Sequence, residues 1–367
     1  MRIAAIERSL KQSPADNRLR NDLAGAYLQK MRETADGSYL ERASKIVEAI
    51  LESDASNYDA RRRRIEIEMQ RHHFQQVITQ ATALALERPG DAVLFGMLGD
   101  AAMETGDYDR AADAYQTMAD LRPNLASYNR VAFYRFVTGD AEGAVDTMRR
   151  AIRAGATEPE NVAWCEADLG RMLLKTGAID DAEQAFQRAL ALFPRYHPAL
   201  AGLGRAAAAR KQWPEAIRLL LQAQAAAPFP EYTGLLAKLY RKTGRADLAD
   251  RQIAMLDMND QLDRAAGETA NRNLALALSD LGHRLPRALE LARAELEVRQ
   301  DVFTYDALAW ALFQNGQNAE AAAAMERALA QNSPEPSFHD HAARIFEALG
   351  RTDEAKLHRE KARPDYW

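Results

Sequence analysis

Histidine, cysteine and clustered carboxylates are where chemistry would be sought, and this chain offers few of them in useful spacing. His72 and His73 are adjacent, so on a helix their rings point in different directions and do not make a metal pair. His339 and His341 flank Asp340 in "SFHDH", and the i,i+2 spacing again separates the rings, so incidental surface histidines are expected. Cys165 is the only cysteine, which excludes an internal disulfide and a Cys-based zinc site. It lies between Trp164 and Glu166 with no histidine nearby in sequence, the setting of a buried structural thiol rather than a nucleophile. No Gly-rich phosphate loop, Gly-x-Ser-x-Gly elbow or His-Glu-x-x-His occurs. The expectation is a protein that is not an enzyme, with no catalytic residue, cofactor or metal.

Composition narrows the remaining classes. The 367 residues are 47% hydrophobic and carry 48 basic and 53 acidic side chains, a net charge of −5. That balance gives no global reason to expect nucleic acid or a bilayer as partner, so any basic surface must be local. No apolar run approaches the length of a membrane span, and Glu7 and Arg8 interrupt the opening stretch where a signal peptide would be apolar. The closing triplet Asp365-Tyr366-Trp367 coincides with that of a plant RNA-editing deaminase domain, but such zinc deaminases need a paired-cysteine motif that one cysteine cannot supply.

What must position the side chains is a repeat. "DLGRMLLKTGAIDDAEQAFQRALALFP" (168–194) recurs as "LGDAAMETGDYDRAADAYQTMADLRP" (98–123), "LGRAAAARKQWPEAIRLLLQAQAAAP" (203–228), "LAWALFQNGQNAEAAAAMERAL" (308–329) and "AARIFEALGRTDEAKLHREKARP" (342–364). The small residue opening each second helix falls at Val77, Ala111, Ala144, Ala182, Ala216, Ala249, Ala288, Ala321 and Ala355, at intervals of 33 to 39 residues. Apolar residues within each copy recur at three- and four-residue spacing, which describes two amphipathic helices. Gly177 follows the first helix, where positive φ can turn the chain. Asp180 and Asp181 are expected to cap the second, and Pro194 ends it. Gly170 and Ala182 are small where the two helices must approach. One such hairpin cannot bury its own apolar face, so the units must stack.

This pattern resembles the tetratricopeptide repeat, carried by Leu169, Gly170, Leu173, Ala182, Phe186, Ala189 and Pro194 and their counterparts along essentially the whole chain. Lys211 and His72 stand where the inter-helix Gly is usual, and the copies near Ile50 and Leu256 lack the final Pro. The resemblance implies an all-α, right-handed superhelical α-solenoid, read here as one domain over 1–367. Its units are 17–57, 58–91, 92–124, 125–162, 163–196, 197–229, 230–267, 268–301, 302–335 and a C-terminal unit or cap at 336–367.

Three stretches depart from register and are expected to form rim loops: "RETADGSYLER", "AGATEPENVAW" and "DMNDQLDRAAGET". Residues 1–16 read as a half unit, either an N-terminal cap or the remainder of a trimmed repeat. Similar bacterial arrays often carry an export signal or anchor upstream, so an exported or periplasmic location stands beside a cytoplasmic one. Ile3, Ile6 and Leu10 share one face of that helix and make self-association a second possibility.

The resemblance also implies that first helices line a concave groove, met by the residue just after the small eighth position. From the third unit onward that place holds Asp100, Phe133, Arg171, Arg205, Lys238, Leu276, Trp310 and Arg344. Asn129 and Arg130 lie upstream, Lys175 is one turn beyond Arg171, and Arg241 and Lys242 follow Lys238. The candidate partner-binding residues are therefore Asn129, Phe133, Arg171, Lys175, Arg205, Lys238, Arg241 and Trp310. The row of cations suits an extended, acidic protein or peptide, because Arg can grip a carboxylate with two hydrogen bonds and aromatic side chains anchor interfaces. In the other reading those cations are solvated or paired with acidic residues of neighbouring units. Beyond the scaffold itself, a self-assembling structural protein or a regulatory module of a larger enzyme or transcription-factor complex remain alternatives.

Overall fold

Amphipathic stretches of 10 to 20 residues, separated by a Gly, Pro or Asn signal every half repeat, become helices, and helices are all the regular structure among the described residues. The structure is a computed structural model that describes residues 2–363; Pro364 and the Asp365-Tyr366-Trp367 triplet lie outside them. Two compact units are present, residues 1–123 and 124–367.

The first unit begins with α1 (Arg2–Gln12), then α2 (Asn17–Thr34), α3 (Ser38–Ser53), α4 (Tyr58–Gln70), α5 (Phe74–Glu87), α6 (Ala92–Glu104) and α7 (Tyr108–Leu121). Ile3, Ile6 and Leu10 of α1 pack against the buried cluster of Leu23, Tyr27, Val47 and Ile50, so the face that sequence reading left open to a second chain is engaged within this one. Tyr27 donates a hydrogen bond from Oη to Glu7, 2.9 Å, tying α1 to α2. Asp16, Asn57, Asp91 and Asp107 cap α2, α4, α6 and α7, each accepting backbone N–H groups that the helix leaves unmatched.

The second unit is built of α8 (Leu125–Val137) and α9 (Ala141–Ala154), α10 (Pro159–Thr176) and α11 (Ile179–Leu192), α12 (His197–Ala209) and α13 (Trp213–Ala226), α14 (Pro230–Lys242) and α15 (Ala246–Ala265), α16 (Arg272–Leu281) and α17 (Leu285–Val298), α18 (Val302–Gln314) and α19 (Asn318–Leu329), and α20 (Pro336–Ala348) and α21 (Thr352–Lys361). Phe186 of α11 shows why the repeat needs small residues. A Cβ on Gly170 of α10 would lie 2.5 Å from the Phe186 ring, and one on Gly202 of α12 would lie 2.3 Å from it, so this fully buried ring fills a slot that only glycine leaves open on both sides. The hairpin turns are left-handed: Gly177 has φ +100°, and Lys211 and His72 take φ of +60° and +62° without being glycine.

Three expectations are corrected. The three stretches read as rim loops are mostly helix: "RET" completes α2, "PENVAW" opens an 18-residue α10, and "DMNDQLDRA" lengthens α15 to 20 residues. Each keeps only a short break, at Gly37, Gly155 or Gly267, and the residues on either side continue the flanking helices, with Pro159 admitted in the first turn of α10. Asp180 and Asp181 do not cap α11, whose cap residue is Ala178 without a side-chain bond; they lie inside its first turn, and Asp180 pairs with Arg210, just past the end of α12. His341 is not a surface residue: it is 7% exposed.

Candidate functional site

In the second unit the first helices of successive pairs bring one face onto a shared cavity of about 710 Å³. Among the sequence-selected residues, Lys175, Arg205, Lys238 and Trp310 line it, together with Leu276 and Arg344 from the equivalent places on α16 and α20. Phe133 stacks on Phe303, itself a lining residue, with ring centroids 6.5 Å apart. Arg241 is engaged elsewhere, donating to the Leu281 carbonyl at 2.9 Å, and Asn129 donates from Nδ2 to Cys165 Sγ at 3.8 Å. Cys165 is wholly buried, and burial pushes its thiol up to about 12, which keeps it protonated and unreactive.

The cations are matched rather than bare. Arg205 reaches Glu231 at 2.6 Å, Lys238 reaches Asp280 at 2.9 Å, Arg171 pairs with Asp168 one turn away, and Lys175 pairs with Glu335. Arg205 and Lys238 thus pair with acidic residues of the next helix pair, whereas Arg171 pairs within its own helix and Lys175 with a residue 160 positions away. Burial works against the charge on Glu231, yet Arg205, then Arg171 and Lys175, hold its carboxyl below the usual range. Three of the selected cations thus converge on one carboxylate. Asp280 behaves alike: burial opposes its charge, and Lys238 and His341 overcome that opposition.

Beside this lies an aromatic wall. Trp310 donates from Nε1 to Asp280 at 3.0 Å and stacks on His341 with ring centroids 4.2 Å apart and planes within 8°. His341 Nδ1 is 2.8 Å from Asp306 Oδ1. Burial disfavours the imidazolium, but Asp306, Asp280 and Asp340 outweigh it and raise the histidine above its ordinary value. Arg344 lies over the Trp310 ring, 5.7 Å from its centroid. His339 meets His358 instead, Nδ1 to Nδ1 at 2.9 Å, and burial followed by the charges of His358 and Lys361 brings it down to about 4.

Sequence reasoning followed cations and aromatics from one repeat position and so missed the carboxylates and the other aromatics on the same faces. Glu231, Gly234, Leu235 and Lys238 on α14, and Phe303, Asp306, Trp310 and Gln314 on α18, all line the cavity. Their spacings of three, four and seven are those of a single helical stripe, so extending each selected position by one or two turns would have found them. Among the described residues, no group of three or more His, Cys, Asp or Glu is arranged to hold a metal ion, and no helix is long and apolar enough to cross a membrane.

An all-helical stack of paired helices, with glycine and alanine at the crossings and a lined inner face, is the architecture of a repeat scaffold. Tetratricopeptide repeat models match residues 97–159, 173–239 and 307–363, about half of the chain, and the protein belongs to this family of protein–protein interaction scaffolds. No curated protein matches the sequence. Among solved structures, the chain is similar to one in the APC/C hetero-tetramer Cut9-Hcn1, at 16% identity and a TM-score of 0.52 over 92% of this chain. The match spans 56% of that structure's chain and establishes fold alone. It is also similar to PilW, described as a widely conserved type IV pilus biogenesis factor, at 17% identity and a TM-score of 0.48, covering 56% of this chain and 94% of that one.

Proposed function

We propose that the second unit is a non-enzymatic partner-binding module that receives an acidic segment of a protein in the cavity faced by Arg205, Lys238, Leu276, Trp310 and Arg344. The observation carrying this reading is that these five residues, each at the same place in its own repeat, line one concave space. A cavity of this size is in the range that holds a short peptide segment or a small ligand. Glu231 and Asp280 occupy Arg205 and Lys238 in the free protein, and the partner's carboxylates exchange with them, so specificity comes from geometry more than from net attraction. Arg171 lies on the same side, electrostatically coupled to Glu231, and Phe303 and Trp310 supply the apolar anchors.

The test is charge reversal of Arg171, Arg205 and Lys238 to Glu in the full chain. Proteins retained from the source cells are identified by mass spectrometry, and helicity is followed by circular dichroism. The reading expects a wild-type partner to be lost with helicity unchanged. Equal retention by both proteins would remove the cavity from consideration.

A further inference from the structure

The row of helix pairs from α8 to α21 returns on itself. Lys175, in the last turn of α10, pairs with Glu335, the residue that precedes α20. Arg363, just past α21, donates to the Leu174 carbonyl at 2.9 Å, and its guanidinium comes within 2.7 Å of where a Cβ on Gly177 would be. Both cations therefore sit at the C-terminal end of α10, where carbonyls lack helical partners and the helix dipole favours positive charge. On the same seam, Gly139 approaches the Asn332 carbonyl so closely that a Cβ would come within 3.1 Å, and Phe133 meets Phe303.

This seam differs from every other junction in the unit. Neighbouring helix pairs share buried apolar clusters: one runs from Leu125 to Ala206 and another from Ala237 to Ala355. Neither cluster contains residues from both sides of the seam. Among the described residues the seam is thus held by the ion pair, the Arg363 hydrogen bond and the Phe133–Phe303 contact rather than by a shared buried cluster. Lys175 is 19% and Glu335 5% exposed, so if either loses its partner the other is relieved by admitting water, which means parting the seam.

We propose that the Lys175–Glu335 and Arg363–Leu174 contacts are a clasp that holds the first and last helix pairs of the second unit together and parts to widen the cavity for a partner segment. The proposal rests on the reading that the cavity receives such a segment. Its two states differ by polar contacts at one seam, so ionic strength and an acidic ligand competing for Lys175 both shift the population toward the open one.

The experiment measures opening without a partner. Spin labels are placed on the full chain at two exposed positions, Glu142→Cys on α9 and Lys356→Cys on α21, and distance distributions are recorded by double electron–electron resonance. Wild type is expected to show one short-distance population at about 0.1 M salt, where charges within a Debye length of about 10 Å still attract. Lys175→Glu or Glu335→Lys is expected to raise a longer-distance population about tenfold, and the Lys175→Glu/Glu335→Lys exchange to restore the short one. Should the single reversals fold poorly, raising salt to about 1 M on wild type reads the same opening. An unchanged short distance in folded reversals, or in wild type across the salt range, overturns the clasp. Loss of partner capture on reversing Arg205 and Lys238, or retention of capture, leaves these distances unaffected and bears on the cavity reading alone.

Discussion

Residues 2–123 and 124–363 are built from the same repeat, yet their polar side chains reach different distances along the chain. In the first unit Arg61 of α4 meets Glu87 of α5 within one helix pair, while Arg62 meets Asp91 at the start of α6 and Arg71 meets Glu41 of α3, both between adjacent pairs. The second unit has such neighbour pairs too, Arg205 with Glu231 among them, and adds contacts spanning 160 and 189 residues. The first kind follows from the repeat period. The second requires the small rotation at each step to accumulate over seven helix pairs until the row meets its own start. In the second unit the same repeat therefore brings the first and last helix pairs into contact.

The largest expected effect sharpens this comparison at the helix crossings. Phe186 wedges between glycines on two helices, whereas Tyr115 of the first unit fills the space at Gly99 and sends its hydroxyl to Asp100 at 2.9 Å. Phe186→Ala should cost about 3–5 kcal/mol in chemical denaturation, because it empties a slot that rigid helices cannot collapse into. Hydrogen exchange should show the loss in α10 to α13 and not in α2 to α7. Uniform loss across both units would mean that the two do not respond separately.

A middle-sized effect comes from the ion pair of His341 with Asp306. Folding raises the histidine, so its contribution is fully present below about pH 6.5 and is lost as pH rises through the elevated folded value. His341→Phe should therefore reduce stability by about 1–3 kcal/mol near pH 6, with the difference shrinking toward pH 9. His339 acts oppositely: its value near 4 means that its contribution to folding is lost as pH falls from about 6.5 toward 4. A thermal-melt pH series on His341→Phe and His339→Phe separates the two; identical pH dependence in both variants would contradict these assignments.

The smallest expected change is a gain. Lys211 holds φ +60° in a turn where other repeats use glycine, so Lys211→Gly should stabilise by about 1 kcal/mol, the cost of a left-handed conformation for an L side chain. A loss of stability on this substitution would show that the Lys211 side chain contributes contacts outweighing the strain.

How much of this was legible in the sequence varies with the range of the interaction. The 33- to 39-residue spacing set the helix pairs, and the resemblance to tetratricopeptide arrays pointed to the one position on each of α12, α14, α16, α18 and α20 that lines the cavity. The helical nature of the three irregular stretches was misjudged, since extra residues between repeats read as loops throughout although a single Gly marks a short break and the residues beside it continue the flanking helices. The acid–base pairing was hidden for another reason. Glu231 and Asp280 face Arg205 and Lys238 from the next helix pair, and neighbour identity across a stacking interface is not encoded by period alone. Glu335 and Arg363 were further out of reach, because ring closure depends on the summed curvature of seven pairs.

The most direct test of the charge-matched cavity is zero-length carbodiimide cross-linking of the dilute full chain, read by peptide mass spectrometry. An intramolecular amide between Lys175 and Glu335 and another between Lys238 and Asp280 are the predicted products. Recovery of neither, with both lysines joined only to carboxylates of their own helices, would contradict the account.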